Sequence, residues 1–190
     1  VAHTPNLHGR PSVPRTATLV AVELLYTGII GFARTMFKVQ GLDITMRGER
    51  NFPETGGAVV VINHTGYFDF VYGGIPARVH KRFIRYMAKA EVFGWPVVGR
   101  VMRAARQIPV LRGTAQAADS LAAAGRALDR GHVVCLYPEG TRTREPDLRP
   151  GPGKTGAARL ALAHPQVPVV PVGMWGPRPG TKHLWHRHAV

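Results

Sequence analysis

Two side chains that can act together in proton transfer, His64 and Asp69, lie five positions apart and directly after the apolar segment 58–62. A carboxylate that bonds one imidazole nitrogen leaves the other nitrogen free to accept a proton, so such a pair suits general-base chemistry. The alternative is a structural histidine beside a helix-capping aspartate, and the spacing alone favours that alternative. Further residues must therefore decide between the two interpretations.

A second set of polar residues also follows apolar segments. Glu139 and Arg142 lie three positions apart at a turn that contains Gly140, and Arg112 follows the segment 108–111. A guanidinium group binds phosphate through paired charge-assisted hydrogen bonds, each worth about 1.5–3 kcal/mol. Any one of these residues alone is compatible with a surface ion pair, but together they indicate a site for hydroxyl and phosphate groups.

The segments that carry these residues alternate between predicted strands and predicted helices. Short β-branched runs predict strands, and apolar residues spaced three or four apart predict helices. The strands are expected at 58–62, 83–87, 108–111, 133–137 and 167–172, and the helices at 114–130 and 154–163. The alternation indicates a single α/β domain with a mixed, mostly parallel sheet covered by helices. Ligands bind at the carboxyl ends of strands in such sheets, so the polar residues are expected to meet there.

The positions of three strands within the sheet can also be predicted. Pro109 cannot donate a backbone hydrogen bond, so the strand at 108–111 is expected at an edge of the sheet or Pro109 at the end of its strand. The strands at 133–137 and 167–172 are expected to be buried. Cys135, the single cysteine, lies in the first of these two strands and is therefore expected to be a core residue rather than a catalytic thiol.

The first 40 residues differ from residues 41–190, which form the predicted α/β domain. Residues 1–15 are rich in proline and are expected to form a mobile arm. Over 16–40, a helical projection gathers Glu23, Arg34 and Lys38 on a narrow polar stripe, while most of the circumference is apolar. Such an amphipathic helix suits a membrane interface, and packing against its own domain is an equally good interpretation.

The charge balance favours a polyanionic partner. The chain has 190 residues and a formal net charge of +14, which suits anionic lipid headgroups or nucleic acid. Seven cations form a basic zone, which is either a solvated face or a contact for headgroups or donor phosphates: Arg78, Lys81, Arg82, Arg85, Lys89, Arg100 and Arg103. A nucleic-acid-binding domain would interleave exposed aromatic residues with these cations, yet the aromatic residues here lie in apolar contexts. We therefore rank that function far below a lipid-directed one.

At this point the sequence resembles the glycerolipid acyltransferase family, which includes bacterial 1-acylglycerol-3-phosphate acyltransferases. The family has four ordered motifs, and segments 63–69 (N-H-x4-D), 107–112, 138–142 and 167–172 match them in order. The resemblance covers roughly residues 40 to 176. Three positions depart from the usual pattern: Arg106 replaces a frequent Gly, Leu111 a frequent acid, and Tyr137 a usual Phe or Leu.

The resemblance implies the roles of the individual residues. His64 would be the general base that activates the acceptor hydroxyl, and Asp69 would orient the imidazole. The glycerol-phosphate end of the acceptor would be held by Arg112, Glu139, Gly140, Thr141, Arg142 and Lys154. No metal or cofactor is expected, because the thiolate leaving group needs none.

The resemblance also implies the substrates and the location. The acceptor would be 1-acyl-sn-glycerol-3-phosphate and the product phosphatidic acid, with glycerol-3-phosphate or a glycolipid as alternative acceptors. Acyl-CoA or acyl carrier protein would supply the acyl group as co-substrate. The expected location is the cytoplasmic face of a bacterial plasma membrane, bound peripherally or as a monotopic protein.

Overall fold

A computed structural model describes residues 15–39, 41, 44–66, 69–113, 116–145 and 147–175. The predicted N-terminal arm lies outside these ranges, apart from Arg15. The strands are β1 (Ala58–Ile62), β2 (Ile84–Lys89), β3 (Ile108–Val110), β4 (Val133–Leu136) and β5 (Val169–Val172). The helices are α1 (Arg15–Val39), α2 (Asp69–Tyr72), α3 (Ile75–Val79), α4 (Val98–Ala104), α5 (Ala117–Asp129) and α6 (Gly156–Ala163). Two short 3-10 turns occupy Glu49–Asn51 and Ala90–Gly94.

The five strands form one sheet in the order β3-β2-β4-β1-β5. All four pairings between these strands are parallel, so the expectation of a mixed sheet is corrected to a wholly parallel one. The strands are parallel because a helix follows each of the first four strands and returns the chain to the end of the sheet where the strands begin. As a result, the carboxyl ends of all five strands lie along one edge of the sheet, the carboxyl edge, which is different from the outermost strands β3 and β5.

Alternate residues of the strands build two separate cores on the two faces of the sheet. Val60 and Ile62 of β1 pack with Cys135 on one face. Val59 packs with Leu128 of α5 and the rest of the second cluster on the other face. Cys135 has no exposed surface, which confirms the prediction that it is a core residue. These runs are β-branched and apolar because helices or loops cover both sides of the central strands.

The two strands at the edges of the sheet test two predictions about strand position, one of which was made from proline. β3 lies at one edge, as Pro109 predicts. The expectation that the strand at 167–172 is buried was wrong, because β5 forms the other edge and Val169 is 45% exposed. Pro171 lies within this strand and has no N–H to donate to a further neighbour, so an edge position suits the sequence.

Among its described side chains, the N-terminal helix α1 packs against the domain through one side. Ala33 and Phe37 are buried against the α2 region, where the Phe37 ring stacks on Tyr72 at a centroid distance of 4.7 Å. The opposite side exposes four apolar side chains: Val20, Leu24, Phe32 and Val39. The packing interpretation of the amphipathic pattern therefore holds for the side with Ala33 and Phe37, and the membrane-interface interpretation stays a prediction. Within the described residues, no helix combines the length and the apolar character that crossing a bilayer requires.

Candidate active site

The His64–Asp69 pair forms at the carboxyl end of β1. His64 follows the strand by two residues, and Asp69 is the first residue of α2. Their side chains meet, with His64 Nδ1 at 2.8 Å from Asp69 Oδ2. The Asp69 side chain is buried and that of His64 is 23% exposed. A carboxylate acceptor on Nδ1 assigns the proton to that nitrogen and leaves Nε2 as a proton acceptor.

Asp69 also organises the loop that carries the histidine. Its carboxylate accepts backbone hydrogen bonds from Thr65 at 2.5 Å and Gly66 at 2.8 Å, and a hydroxyl bond from Thr65 at 3.2 Å. These donors stabilise the charge of a carboxylate that is almost without solvent contact. Because one side chain holds both the loop and the imidazole, the orientation of the His64 ring is fixed from two directions.

Glu139 links the second site to the first. Its side chain is buried after β4, and Oε1 accepts the backbone N–H of His64 at 2.8 Å while Oε2 accepts that of Gly151 at 3.1 Å. Both oxygens are therefore engaged with the protein backbone. The role of Glu139 at the acceptor stays a prediction, and in the structure its carboxylate holds the backbone of His64 and Gly151.

Two further side chains fix the surroundings of His64. The Asn63 side chain donates to the Met174 carbonyl at 2.8 Å and accepts from the Met174 N–H at 2.6 Å, which ties the ends of β1 and β5 together. The Tyr137 ring stacks on the imidazole at a centroid distance of 4.3 Å. The Tyr137 hydroxyl is buried and has no hydrogen-bond partner among the described residues, and burial raises the pKa of this phenol. Tyr137 is therefore neutral at physiological pH.

A cavity of about 230 Å³ lies at the carboxyl ends of β2, β3 and β4, and neither His64 nor Asp69 is among its lining residues. Tyr137 belongs both to its lining and to the stack on His64. Three cationic side chains contribute to the lining, namely Arg112, Lys154 and Arg159. Its apolar lining comes from Met87, Val110, Ala117, Leu121 and Leu136, and no carboxylate is among the lining residues. The cavity is thus cationic at some positions and apolar at others.

The turn after β4 brings three of the predicted acceptor-binding residues together. Gly140 has a left-handed backbone with φ of 68°, a conformation that favours glycine. A Cβ atom there would lie 3.2 Å from Lys154 Nζ, and Arg112 Nη1 donates to the Gly140 carbonyl. Lys154 N donates to the Pro138 carbonyl at 2.7 Å. Arg112, Gly140 and Lys154 therefore meet at one turn.

The remaining predicted residues lie nearby but outside the cavity lining. Thr141 is exposed and Arg142 is half-buried in the loop that continues from Gly140. That loop returns to the His64–Asp69 pair, because Thr143 N donates to the His64 carbonyl at 2.7 Å. Among the residues that the structure describes, no group of three His, Cys, Asp or Glu side chains is arranged to hold a metal ion.

The family follows from a comparison with known proteins. A family model described as Acyltransferase matches residues 43–175, which cover the whole sheet and every site residue named above. This chain belongs to the acyltransferase family. The four motifs that sequence analysis singled out all lie within the matched range.

Several curated proteins are similar to this chain. A 1-acyl-sn-glycerol-3-phosphate acyltransferase of Bacillus subtilis is 30% identical over 72% of this chain and 65% of its own length. The human 1-acyl-sn-glycerol-3-phosphate acyltransferase beta is 33% identical over 76% of this chain and 51% of its own. A lyso-ornithine lipid O-acyltransferase of Rhodobacter capsulatus is 29% identical over 58% of this chain and 37% of its own. The chain thus spans less than two thirds of each relative, and no solved structure matched it.

Sequence reasoning missed Arg159, which lines the cavity from α6 of this acyltransferase. The signal was present but weak, because Arg159 lies four residues after Thr155 and so shares its helix face. It also missed the roles of Asn63 and Tyr137, although Asn63 begins the first matched motif and Tyr137 directly precedes the third. Long-range contacts such as that of Asn63 with Met174 have no local sequence signature.

The predicted basic zone divides into groups with different roles. Arg82 donates to four backbone carbonyls, including Pro53 at 2.8 Å and Gly131 at 2.8 Å, so it is a structural residue. The Arg78 guanidinium lies over the Phe83 ring at 5.3 Å. Arg100 and Arg103 lie on another surface, against the turn that follows β2.

Proposed function

We propose that this protein transfers a fatty acyl group from a thioester donor to the free hydroxyl of 1-acyl-sn-glycerol-3-phosphate, giving phosphatidic acid. The observation that carries the proposal is the contact of 2.8 Å between His64 and Asp69, joined through the Tyr137 ring to a cavity whose described lining has three cations and no carboxylate. Family membership supports acyl transfer as the reaction, and the printed names of the Bacillus and human relatives support this acceptor.

The reaction follows from the orientation of the imidazole. His64 Nε2 accepts the proton of the acceptor hydroxyl as the oxygen attacks the thioester carbonyl carbon. The tetrahedral intermediate collapses, the carbon–sulfur bond breaks, and the thiolate leaves with the proton from the imidazolium. Asp69 stabilises the imidazolium between these steps, and general-base help of this kind contributes about 10²–10⁴-fold.

The charges around the cavity support a phosphate monoester as the group that is bound. Arg112, Lys154 and Arg159 bring three positive charges to a lining without a carboxylate. A phosphate monoester carries about −1.5 to −2 charges near neutral pH, whereas a phosphodiester carries only one. A dianion therefore compensates these cations better than a diester headgroup does. The glycerol-phosphate end of the acceptor has this charge.

The location and the donor complete the proposal. The exposed apolar side of α1, with Leu24 at 68% and Phe32 at 69%, supports peripheral or monotopic association with a bilayer. We assign the protein to the cytoplasmic face of a bacterial plasma membrane. The donor is acyl-CoA or acyl carrier protein, and both enter the experiment below.

A different acceptor is the second candidate. The Rhodobacter relative is named for a lyso-ornithine lipid, so this family includes relatives named for other lysolipids. The cations of the cavity favour a phosphate-bearing acceptor over an uncharged glycolipid. Glycerol-3-phosphate bears the same phosphate, so the experiment compares it directly with the lysolipid.

The test is transfer of a labelled acyl group in detergent, with acyl-CoA and acyl carrier protein as separate donors. We expect labelled phosphatidic acid from the wild type and a loss of at least about 10²-fold in kcat for His64→Ala. His164→Gln is the matched control, because His164 also contacts an aspartate, Asp129, at 3.0 Å, away from this edge of the sheet. Equal rates for His64→Ala and wild type would remove the general base from the proposal. Faster acylation of glycerol-3-phosphate than of the lysolipid would replace the acceptor.

A further inference from the structure

An unusual surface lies at the turn that follows β2. Four consecutive residues, Trp95 to Val98, have no charged or hydrogen-bonding side chain except the indole N–H, and all are exposed. Trp95 is 57% exposed, Val97 68% and Val98 40%. Single exposed apolar residues are common on soluble proteins, but a contiguous group that includes a tryptophan indicates a contact surface. We call residues 95–98 the apolar tip.

The backbone holds the apolar tip in this exposed position. Gly99 N donates to the Trp95 carbonyl at 2.8 Å, and Trp95 N donates to the Val92 carbonyl at 3.3 Å. A Cβ atom at Gly99 would lie only 2.0 Å from the Phe93 carbonyl oxygen, so the turn closes tightly on itself. The exposed side chains are therefore presented by an ordered turn and have no room to fold inward at Gly99.

Two cations flank the apolar tip. Arg100 Nε donates to the Pro96 carbonyl at 2.6 Å, and Arg103 Nη1 donates to the Phe93 carbonyl at 2.5 Å. Neither guanidinium forms an ion pair with a carboxylate among the described residues. Each retains free donors that are held beside an apolar surface. Tryptophan at the water interface with arginine beside it is the combination that suits an anionic lipid surface.

The apolar tip lies on the same edge of the sheet as the candidate active site. It follows the carboxyl end of β2, and His64, Arg112 and Glu139 follow the carboxyl ends of the parallel strands β1, β3 and β4. Helix α2 and two other loops at this edge also expose large apolar side chains, namely Phe70 at 44%, Leu111 at 45% and Trp175 at 77%. The edge that carries the reactive groups is therefore also the one that presents apolar side chains from several loops.

We propose that the apolar tip, with Arg100 and Arg103, docks the catalytic edge of the sheet onto an anionic phospholipid bilayer, as a contact separate from α1. The tip enters the headgroup region, and the two guanidinium groups bind lipid phosphates at its rim. An acceptor then reaches the cavity from the bilayer without crossing bulk water. The choice of a lipid surface rests on the proposed function, but the docking itself is measured without turnover.

The first experiment measures binding to vesicles that contain about 30% phosphatidylglycerol in phosphatidylcholine, by co-sedimentation. We expect the double variant Trp95→Ser/Val97→Asp to bind at least about 10-fold more weakly than wild type. Leu162→Asp is the matched control, because Leu162 is 82% exposed on α6 and lies outside the proposed contact. Equal losses for the double variant and Leu162→Asp would overturn the proposal. Unchanged thermal unfolding of each variant verifies that the fold is intact.

The second experiment locates the tip directly. Trp175 and Trp185 are the other two tryptophans, so the variant Trp175→Phe/Trp185→Phe reports on Trp95 alone. We expect a blue shift of its fluorescence on anionic vesicles and quenching by brominated lipids. Arg100→Gln/Arg103→Gln should weaken binding to anionic vesicles but not to pure phosphatidylcholine, because the arginines act through charge. Absence of quenching would overturn the proposal even if the protein binds vesicles.

Two controls separate this proposal from its competitors. Acyl transfer in detergent micelles tests the proposed function, whereas binding to vesicles tests the docking. A protein that binds vesicles through the tip but transfers no acyl group would contradict the proposed function and not the docking. Acyl carrier protein is an acidic partner that the same arginines would also attract. A shift of Trp95 fluorescence with the carrier protein but not with vesicles would assign the tip to that protein and overturn docking on lipid.

Discussion

Two histidine–aspartate pairs in this molecule have almost the same contact distance and different surroundings. His64 Nδ1 lies 2.8 Å from Asp69, and His164 Nδ1 lies 3.0 Å from Asp129. The Asp69 side chain is 2% exposed, whereas that of Asp129 is 57% exposed at the end of α5. The distance between the partners therefore does not distinguish a catalytic pair from a surface ion pair.

The difference lies in what holds each carboxylate. Asp69 also accepts bonds from the Thr65 and Gly66 backbone, and no further side-chain bond of Asp129 is formed among the described residues. A carboxylate that is buried and held by backbone donors fixes the direction of the imidazole. At an exposed carboxylate, water competes with the imidazole for the same oxygen atoms. We infer that this support, rather than the contact itself, makes the His64 pair suitable for proton transfer.

The largest expected effect comes from Asp69→Asn. The amide keeps the size of the side chain but removes its charge and can turn a donor toward Nδ1, so the imidazole no longer offers Nε2 as the base. We expect kcat in the detergent assay to fall about 10²–10⁴-fold. Asp129→Asn is the matched control and should leave kcat within about threefold of wild type.

A double variant tests whether the two residues act as one unit. If they do, His64→Ala/Asp69→Asn is no slower than His64→Ala alone, because the base is already missing. Losses that multiply in the double variant would contradict the pair and give Asp69 a separate role, such as holding the Thr65–Gly66 loop.

The next largest effect concerns the three cations of the cavity, which is joined to the His64 pair through the Tyr137 ring. Arg159→Gln removes one of the three cations from the cavity. We expect the KM for the lysophosphatidic acceptor to rise about 10–100-fold, the value of one charge-assisted hydrogen bond, with little change in kcat. Arg126→Gln, at an exposed position on α5, is the control and should leave the KM unchanged. An equal rise in KM for a phosphate-free monoacylglycerol would contradict a phosphate contact.

The fold was largely predictable because the central strands are buried on both faces. β1 was predicted with its observed bounds, and β4 within one residue, since only strands covered on both sides need continuous runs such as Ala58–Ile62. The edge position of β5 was not predictable from its apolar residues alone, because an apolar run does not reveal whether a second strand pairs with it. The sequence signal for the edge position is Pro171, which has no N–H to donate.

The candidate site was predictable only where residues are close in the sequence. His64 and Asp69 are separated by one loop, so their contact could be anticipated from the strand before them. The contacts of Glu139 with the His64 and Gly151 backbone depend on how two loops approach in space, and a carboxylate in a motif does not disclose whether it binds a ligand or the backbone. Arg159 needed the packing of α6 beside the sheet before its place in the cavity was evident.

A smaller effect is expected from the ring that stacks on His64. Tyr137 stands where the family usually has Phe or Leu, and its buried hydroxyl has no partner within the part of the chain that the structure describes. Tyr137→Phe removes an unpaired polar group while keeping the stack, so we expect unfolding in urea to require about 1 kcal/mol more. The rate kcat should stay within about threefold. A 10-fold loss of kcat would instead give the hydroxyl a hydrogen bond to the substrate.

The smallest expected effect concerns a third histidine, which has arginines around it in place of a carboxylate. Burial and the nearby Arg85, Arg106, Arg130 and Arg82 lower the pKa of His132 to about 4. The unfolded chain, where a histidine titrates near its ordinary pKa of about 6.5, therefore binds more protons between these two values. Stability contributed by the neutral His132 is present above pH 6.5 and is lost as the pH falls toward 4.

Replacing this histidine separates its contribution from those of the carboxylates that titrate in the same range. We expect the urea midpoint of His132→Gln to fall less than that of wild type between pH 7 and pH 5, because glutamine takes up no proton in the unfolded chain. The difference between the two proteins is the informative quantity, since the other titrating groups are shared. Parallel pH profiles would show that His132 is protonated as easily in the fold as in the unfolded chain. Burial and the neighbouring arginines would then not lower the pKa of His132 in the fold. The surroundings of His132 and His64 would differ only in the carboxylate that contacts His64.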